Sequence, residues 1–402
     1  MKRLLALAML IAVVGLTSAR PDDKVNVEPV VDGNTDFALN LYEQLKAEKG
    51  NLFFSPYSIS SALAMTYNGA RGTTATEMKK VLFFPANDKL NAGFLALDRE
   101  INAETNKKRG YKLSVANRLW GQKTYPWEKE FVKTTKQFYA AGLEEVDFFG
   151  ATEASRLAIN EWVEKQTQQK IKDLLKPGIL TVDSRLVLTN AIYFKGDWAS
   201  QFKKDLTAEK TFSMDDGKSE NTPMMSQKGK FAYGDDPEVQ VLKLPYVGKE
   251  LEMVILLPKK RDGLAKVEKS LTPNNLARWI ETTKETQVEV LLPKFKVESE
   301  FSLKDTLIKM GMPLAFSNSA DFTGIATKEG LKIAAVLHKA FVDVNEEGTE
   351  AAAATAVVIE PKSARPPEET VRFTADHPFI YLIRDTRNES ILFLGRFSEV
   401  VK

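Results

Sequence analysis

The spacing of apolar residues changes character about half-way along the chain. Up to about residue 175, apolar side chains recur at intervals of three and four residues, which predicts a series of amphipathic helices. Asn34 is expected to cap the first of these helices. Thr74 and Glu77 have the spacing of a capping box and predict the start of a later helix.

The second part of the chain is typical of strands. β-branched and aromatic residues dominate short runs bounded by turn residues, at 186–194, 241–244, 251–257, 288–292, 333–344, 379–383 and 391–394. Helices followed by strands predict an α+β fold with large, mostly antiparallel sheets. The sequence contains no repeat and no low-complexity linker, so we expect one domain over residues 34–402, preceded by a polar, flexible lead-in over residues 20–33.

The first 19 residues have the composition of a targeting segment. Lys2 and Arg3 precede an apolar run over residues 4–16, and small residues follow at 17–19. A basic start, a short apolar run and a small-residue cleavage site are typical of a secretory signal peptide. We therefore expect a secreted, extracellular protein (periplasmic if the source is bacterial) that does not associate with a membrane.

Composition excludes most kinds of chemical site. The chain has no cysteine and two histidines, so thiolate nucleophiles, iron–sulfur clusters and histidine-rich metal sites are excluded, and we expect no cofactor, metal or catalytic activity. The 56 basic residues nearly balance the 54 acidic ones, which gives no support for a nucleic-acid partner. The local run Lys107, Lys108 and Arg109 could bind a sulfated polysaccharide, although a solvated loop is the simpler interpretation.

The most unusual segment follows the strand that ends near residue 344. After two glutamates and a glycine it carries mostly small side chains, and Pro361 and Pro366 then exclude a continuing helix. Side chains this small could slide between two strands, so the segment could be a loop in one state and a strand in another. In chain order these residues are Glu346, Glu347, Gly348, Thr349, Glu350, Ala351, Ala352, Ala353, Ala354 and Thr355.

This hinge resembles that of inhibitory serpins, a family of serine protease inhibitors. Residues 51–60, 188–198, 377–379 and 393–397 also resemble serpin motifs in the family's order, and the resemblance covers essentially residues 34–402. It implies the serpin fold, with an exposed reactive-centre loop at about residues 346–372. In this family a target protease cuts the loop, which then inserts into a β-sheet and traps the protease as an acyl-enzyme. We expect a monomer whose partner is the protease.

The resemblance also implies where the loop is cut. The family's spacing from the hinge glycine places the scissile bond between Lys362 and Ser363. Trypsin-like serine proteases select a basic residue at this position through an acidic pocket. Arg365 is a competing basic site, but Pro366 follows it and lacks an amide proton.

Six further positions match residues that control the sheet in serpins. A buried cluster of Ser55, Ser58, Asn190 and His338 would hold the sheet shut, because buried polar groups need partners. Trp198 would lie where the loop first enters, and Lys294 would pair with Glu346 at the base of the loop.

Two other interpretations compete with the inhibitor. A non-inhibitory serpin could act as a carrier, chaperone or storage protein, although such members often have bulky or charged hinge residues. A hydrolase would need a histidine beside a nucleophile, and His338 lies in an apolar strand, which favours a core role. The sequence leaves open the physiological protease, the source organism and the use of the glycosylation sequon at Asn388.

Overall fold

The computed structural model describes residues 25–102, 110–139, 141–327, 330–349 and 369–401. The α-helices in this part are α1 (Glu28–Leu45), α2 (Pro56–Tyr67), α3 (Gly72–Val81), α4 (Asn87–Asn102), α5 (Lys129–Tyr139), α6 (Thr152–Gln166), α7 (Leu264–Ser270), α8 (Pro273–Glu281) and α9 (Lys304–Met310). The strands are β1 (Leu52–Phe54), β2 (Tyr111–Gln122), β3 (Leu143–Val146), β4 (Leu186–Asp197), β5 (Ala208–Ser213), β6 (Ser219–Asp235), β7 (Val239–Pro245), β8 (Leu251–Pro258), β9 (Lys284–Pro293), β10 (Phe295–Ser302), β11 (Ala335–Val344), β12 (Gly348–Thr349), β13 (Val371–Thr374), β14 (Phe379–Asp385) and β15 (Ile391–Phe397).

These strands form two sheets. The larger has the order β1-β15-β14-β8-β7-β6-β9-β13, with β5 paired to β6. The other sheet, which we call the central sheet, has the order β10-β11-β12-β4-β2-β3, and β11 also pairs directly with β4. Most neighbours are antiparallel, and β2–β3, β4–β11 and β9–β13 are parallel pairs. The α+β prediction with mostly antiparallel sheets is confirmed.

The central sheet is covered on both faces. Side chains alternate along a strand, so Val187 and Ala191 of β4 face a small core beneath α6, while Leu188 and Ile192 face the large core shared with the other sheet. A strand buried on both faces is expected to be a continuous apolar run. This explains why β4 was readily predicted from its sequence.

The first helix begins earlier than its sequence pattern suggested. Val27 is the N-cap of α1 and Pro29 occupies the first turn, where a missing amide proton costs nothing. Asn34 lies inside the helix, where its side-chain nitrogen donates to the carbonyl of Ile391 at 3.0 Å. The predicted cap at Asn34 is therefore wrong, and the predicted lead-in over residues 20–33 is helical from residue 28 onwards.

The predicted capping box at Thr74 is also wrong. Its helix begins at Gly72, and the two polar side chains bind other segments. The Thr74 hydroxyl accepts from the backbone nitrogen of Asp321 at 3.0 Å, and the Glu77 carboxylate accepts from that of Leu314 at 3.0 Å. A local spacing cannot distinguish a cap from such tertiary contacts.

The strands predicted from residue 186 onwards are present, with ends that differ by a few residues. The helical prediction for the first part missed β2 and β3, whose half-buried positions carry polar and charged side chains among the apolar ones. No helix in the described ranges is long and apolar enough to cross a membrane. The assignment of residues 34–402 to one domain stays a prediction.

A buried ion pair ties α1, α7 and β15 together. Arg396 on β15 donates to the Glu268 carboxylate on α7 at 3.0 Å, and the Tyr42 hydroxyl on α1 donates to the same oxygen at 2.7 Å. The side chains of Arg396 and Glu268 are 5% and 9% exposed. A charge at this depth depends on its partner, because removing the partner leaves it uncompensated.

We expect Glu268→Gln to lower the free energy of unfolding by about 3 kcal/mol, because Arg396 then keeps a buried, unpaired charge. Urea denaturation measures the change. Glu43→Gln is the control: it breaks a pair with Lys46 in which the glutamate is 58% exposed. That change should cost less than about 1 kcal/mol. Equal losses of unfolding free energy in the two variants would contradict the conclusion that the buried pair of Arg396 and Glu268 stabilises the fold.

Candidate functional site

The hinge already enters the central sheet in this structure. Thr349 on β12 pairs with Val344 of β11 on one side and Gly196 of β4 on the other, antiparallel to both. Beyond β12 the two flanking strands pair directly with each other, from Phe341 opposite Tyr193 to Ala335 opposite Val187. We call the space that β12 occupies the hinge gap.

Glycine at position 348 is required by close packing. A Cβ atom there would lie 2.0 Å from the carbonyl oxygen of Gly196 and 2.6 Å from Cα of Asp197. Both atoms belong to the backbone of β4, which cannot move aside cheaply. Any larger residue would therefore push the hinge away from β4.

Thr349 is fully buried in the hinge gap and contacts an aromatic pair. Its hydroxyl lies 2.9 Å from the Tyr246 hydroxyl. The Tyr246 ring stacks on Trp198, with centroids 4.7 Å apart, and the Trp198 indole donates to the carbonyl of Asn345 at 2.9 Å. Burial raises the Tyr246 pKa, so the phenol is neutral at physiological pH. Trp198 therefore lies beside the first residues of the hinge.

Two ion pairs hold the residues just before the gap. Lys294 donates to the Glu346 carboxylate at 2.9 Å, and the Thr207 hydroxyl donates to its other oxygen at 2.8 Å. Burial alone would raise the pKa of Glu346, but the bonds from Lys294 and Thr207 outweigh it and lower that pKa below its ordinary value. Lys204 pairs with Glu347 at 2.6 Å.

Further down the sheet, His338 on β11 contacts Asn190 on β4 across the direct pairing of the two strands. The Asn190 side-chain nitrogen donates to the Ser58 hydroxyl at 2.7 Å. The backbone nitrogen of Ser55 donates to Nε2 of His338 at 3.1 Å. The Ser55 hydroxyl donates to the carbonyl of Leu392 at 2.6 Å. The four residues predicted to form a cluster therefore do lie together, and all are buried.

The hydrogen bonds fix the state of His338. Nε2 accepts from Ser55, so Nδ1 carries the proton and donates to the side-chain oxygen of Asn190. Burial lowers the pKa of His338 to about 3, because an imidazolium would lose its hydration; the contact with Asn190 offsets this only in part. The ring is therefore neutral near pH 7, as suits a core histidine.

Several predicted residues lie outside the described ranges: Glu350, Ala351, Ala352, Ala353, Ala354, Thr355, Lys362, Ser363 and the basic run at 107–109. The described ranges hold no group of three or more His, Cys, Asp or Glu residues placed to bind a metal.

Sequence reasoning missed three residues of this site. Asn117 on β2 joins the buried cluster, where its side-chain nitrogen donates to the carbonyl of Ser58 at 3.0 Å. Tyr246 and Lys204 contact the hinge. A polar residue among the apolar ones of β2 was a usable signal for Asn117. Tyr246 lies between β7 and β8 and Lys204 begins a short 3-10 helix, and neither segment's sequence gives a sign of the hinge.

Comparison with known families decides what this arrangement is. The chain matches a family model described as "Serpin (serine protease inhibitor)" over residues 32–400. The chain belongs to the serpin family. The identification agrees with the helices and mixed multi-stranded sheets described above. The family description names inhibition of proteases and no catalysed reaction, which is consistent with the expectation that this serpin is not an enzyme.

Individual relatives cover nearly the whole of this serpin. It is 43% identical to human serpin B4 over 385 residues, which are 91% of this chain and 98% of the relative. It is 44% identical to the human leukocyte elastase inhibitor, over 92% of this chain and 100% of the relative. The solved structure of maspin superimposes with a TM-score of 0.85 at 31% identity, covering 93% of this chain and 99% of maspin.

The relatives overturn the expected location. We predicted a secreted protein from residues 1–19, but serpins B3 and B4 and the leukocyte elastase inhibitors are intracellular. The prediction of a secreted, extracellular protein is therefore wrong. The prediction rested on a basic start followed by an apolar run, and this pattern of charge and hydrophobicity does not by itself determine where a protein is located. Those residues lie outside the described ranges.

The low pKa of His338 predicts a pH dependence of stability. The unfolded chain binds a proton below about pH 6.5, whereas the native state excludes it down to about pH 3. This group should therefore lower the free energy of unfolding as the pH falls below about 6.5, by up to about 1.4 kcal/mol per unit. Urea denaturation between about pH 7.5 and about pH 5.5 measures the slope. A His338→Gln variant should lack this contribution, and an equally steep slope in that variant would contradict it.

Proposed function

We propose that this serpin is a suicide-substrate inhibitor of trypsin-like serine proteases, cleaved between Lys362 and Ser363. The observation that carries the proposal is the position of β12 in the hinge gap, antiparallel to both of its neighbours. Parallel pairs are slightly less stable per residue than antiparallel ones. A strand that continues from β12 between β11 and β4 exchanges one parallel ladder for two antiparallel ladders, so insertion is downhill.

The register supports insertion of the small residues. Six residues beyond Thr349 along the chain is Thr355, and six positions back from Gly196 and Val344 are Asn190 and His338. The continuing strand therefore brings Thr355 level with the two residues whose contact joins β11 to β4. Its hydroxyl offers a donor and an acceptor to the pair it separates.

The specificity residue favours a trypsin-like target. Several relatives are named as inhibitors of leukocyte elastase, and elastases have a small specificity pocket that does not suit lysine. An acidic pocket does suit Lys362. The target's serine attacks the carbonyl of Lys362, and the amine of Ser363 leaves. Insertion of the loop then displaces the attached protease before water hydrolyses the ester.

The decisive experiment is to mix this serpin with trypsin and look for a complex that survives denaturing electrophoresis. We expect a band at the summed mass of the inhibitor and the protease. Its absence, with the serpin merely cut, would overturn the proposal.

Lys362→Leu should lower the second-order rate of trypsin inhibition by about 100-fold or more, because a leucine leaves the acidic pocket unpaired. The rate is measured from the progressive loss of trypsin activity. Arg365→Leu is the matched control and should inhibit like the wild type. The reverse result would move the cleaved bond to the position after Arg365.

Cleavage should also stabilise this serpin. Insertion adds a full strand to the central sheet. Nicking near Lys362 should therefore raise the melting temperature by roughly tens of degrees, which is the scale reached when many small stabilising contributions combine. Differential scanning calorimetry compares the nicked and intact forms. A nicked form that melts no higher than the intact one would favour a non-inhibitory serpin.

A further inference from the structure

Tyr246 is a buried phenol whose polar atom has a hinge residue as its partner. Its side chain is 0% exposed, and among the described residues its hydroxyl bonds to Thr349. Tyr246 lies in the turn between β7 and β8 and forms an isolated bridge with Trp198. It therefore belongs to the body of the protein, whereas Thr349 belongs to the hinge.

The ring of Tyr246 is held on several sides. It stacks on Trp198 with an interplanar angle of 15°, and it packs edge-on against Phe194 at a centroid distance of 5.1 Å. A Cβ atom on Gly196 would lie 2.7 Å from the same ring. With this packing the phenol oxygen points at a fixed place, so the hydroxyl is presented to the hinge without a further cost in side-chain entropy.

The contact matters because both hydroxyls are buried. A buried hydroxyl without a partner costs far more than the hydrogen bond contributes when both partners are present. If Thr349 leaves the gap, the Tyr246 hydroxyl loses the partner described here. If Tyr246 loses its hydroxyl, Thr349 must either stay without a partner or move towards water. The pair therefore favours the inserted position of Thr349 over the expelled one.

We propose that Tyr246 is a positioning residue for trapping: its hydroxyl holds Thr349 in the hinge gap. Insertion then starts with the pairings of Thr349 to Val344 and to Gly196 already formed. This inference rests on the proposed inhibitory function. After acylation, insertion competes with hydrolysis of the ester. A pre-formed start removes the step in which the hinge must find the gap, and so it favours trapping.

The test is the number of inhibitor molecules consumed for each trypsin molecule inactivated. Tyr246→Phe and Thr349→Val each leave one buried hydroxyl without its partner, and each should raise this number by roughly threefold to tenfold. The double variant should return close to the wild-type number, because replacing both partners by apolar groups of similar shape is nearly neutral. The rate at which Lys362 is first attacked should not change in any variant.

Tyr381→Phe is the matched control. Tyr381 is also 0% exposed, but its hydroxyl has no hydrogen-bond partner in the described part of the chain. Removing that hydroxyl should leave the consumption number unchanged. A purely structural role of Tyr246 would lower the melting temperature and leave the consumption number at its wild-type value, and that result would overturn the proposal.

A readout without protease separates this inference from the proposed function. Amide hydrogen exchange at Gly348 and Thr349 should be faster in Tyr246→Phe than in the wild type, by at least about the same factor as the change in consumption. If the wild type forms no complex with trypsin, the proposed function fails, and the exchange result still decides whether Tyr246 holds the hinge. If the wild type traps trypsin and both single variants have the wild-type consumption number, the proposed role of Tyr246 is wrong while the proposed inhibitory function stands.

Discussion

The direct pairing of β11 with β4 is the contact on which the rest of the molecule depends. Both strands run in the same direction, so a single parallel ladder joins them below the hinge gap. Any strand that enters must break that ladder before it can form two new ones. If the loop inserts as proposed, breaking this ladder is the barrier between the native state and the inserted one, and the native state persists for kinetic reasons.

The side chains beneath the ladder add to that barrier. His338 and Asn190 lie on opposite strands and satisfy each other in a fully buried layer, with Ser58 as a further partner. Separating the strands by one residue's width would leave Nδ1 of His338 and the side-chain oxygen of Asn190 buried without each other, which costs more than their bond contributes. The cluster therefore makes opening cooperative. In the proposed mechanism, the arriving Thr355 supplies replacement partners to Asn190 and His338.

The sequence predicted the long apolar strands because each is buried on both faces or alternates regularly, and β4 and β14 are the clearest cases. It failed at β2, whose half-buried positions mix polar and apolar residues, and at α1, whose start depends on Pro29 rather than on Asn34. In the site, the resemblance to serpins found the buried cluster and the Lys294–Glu346 pair. It did not indicate Tyr246, whose place in the site depends on its stacking on Trp198 and on its contact with Thr349, and no motif near Tyr246 indicates either. Nor could it show that Thr349 is already inside the sheet.

Two glycines, Gly348 and Gly196, lie close together at the mouth of the hinge gap, and neither has room for a side chain. A Cβ atom on Gly348 would meet the carbonyl oxygen of Gly196, and one on Gly196 would meet the Tyr246 ring. The absence of side chains at these two positions therefore leaves the space that the hinge occupies. A single added methyl group is the smallest substitution that would change the position of the hinge. An alanine at position 348 would leave the body of the fold untouched and yet set the hinge outside, which separates the resting pose of the loop from its chemistry in one substitution.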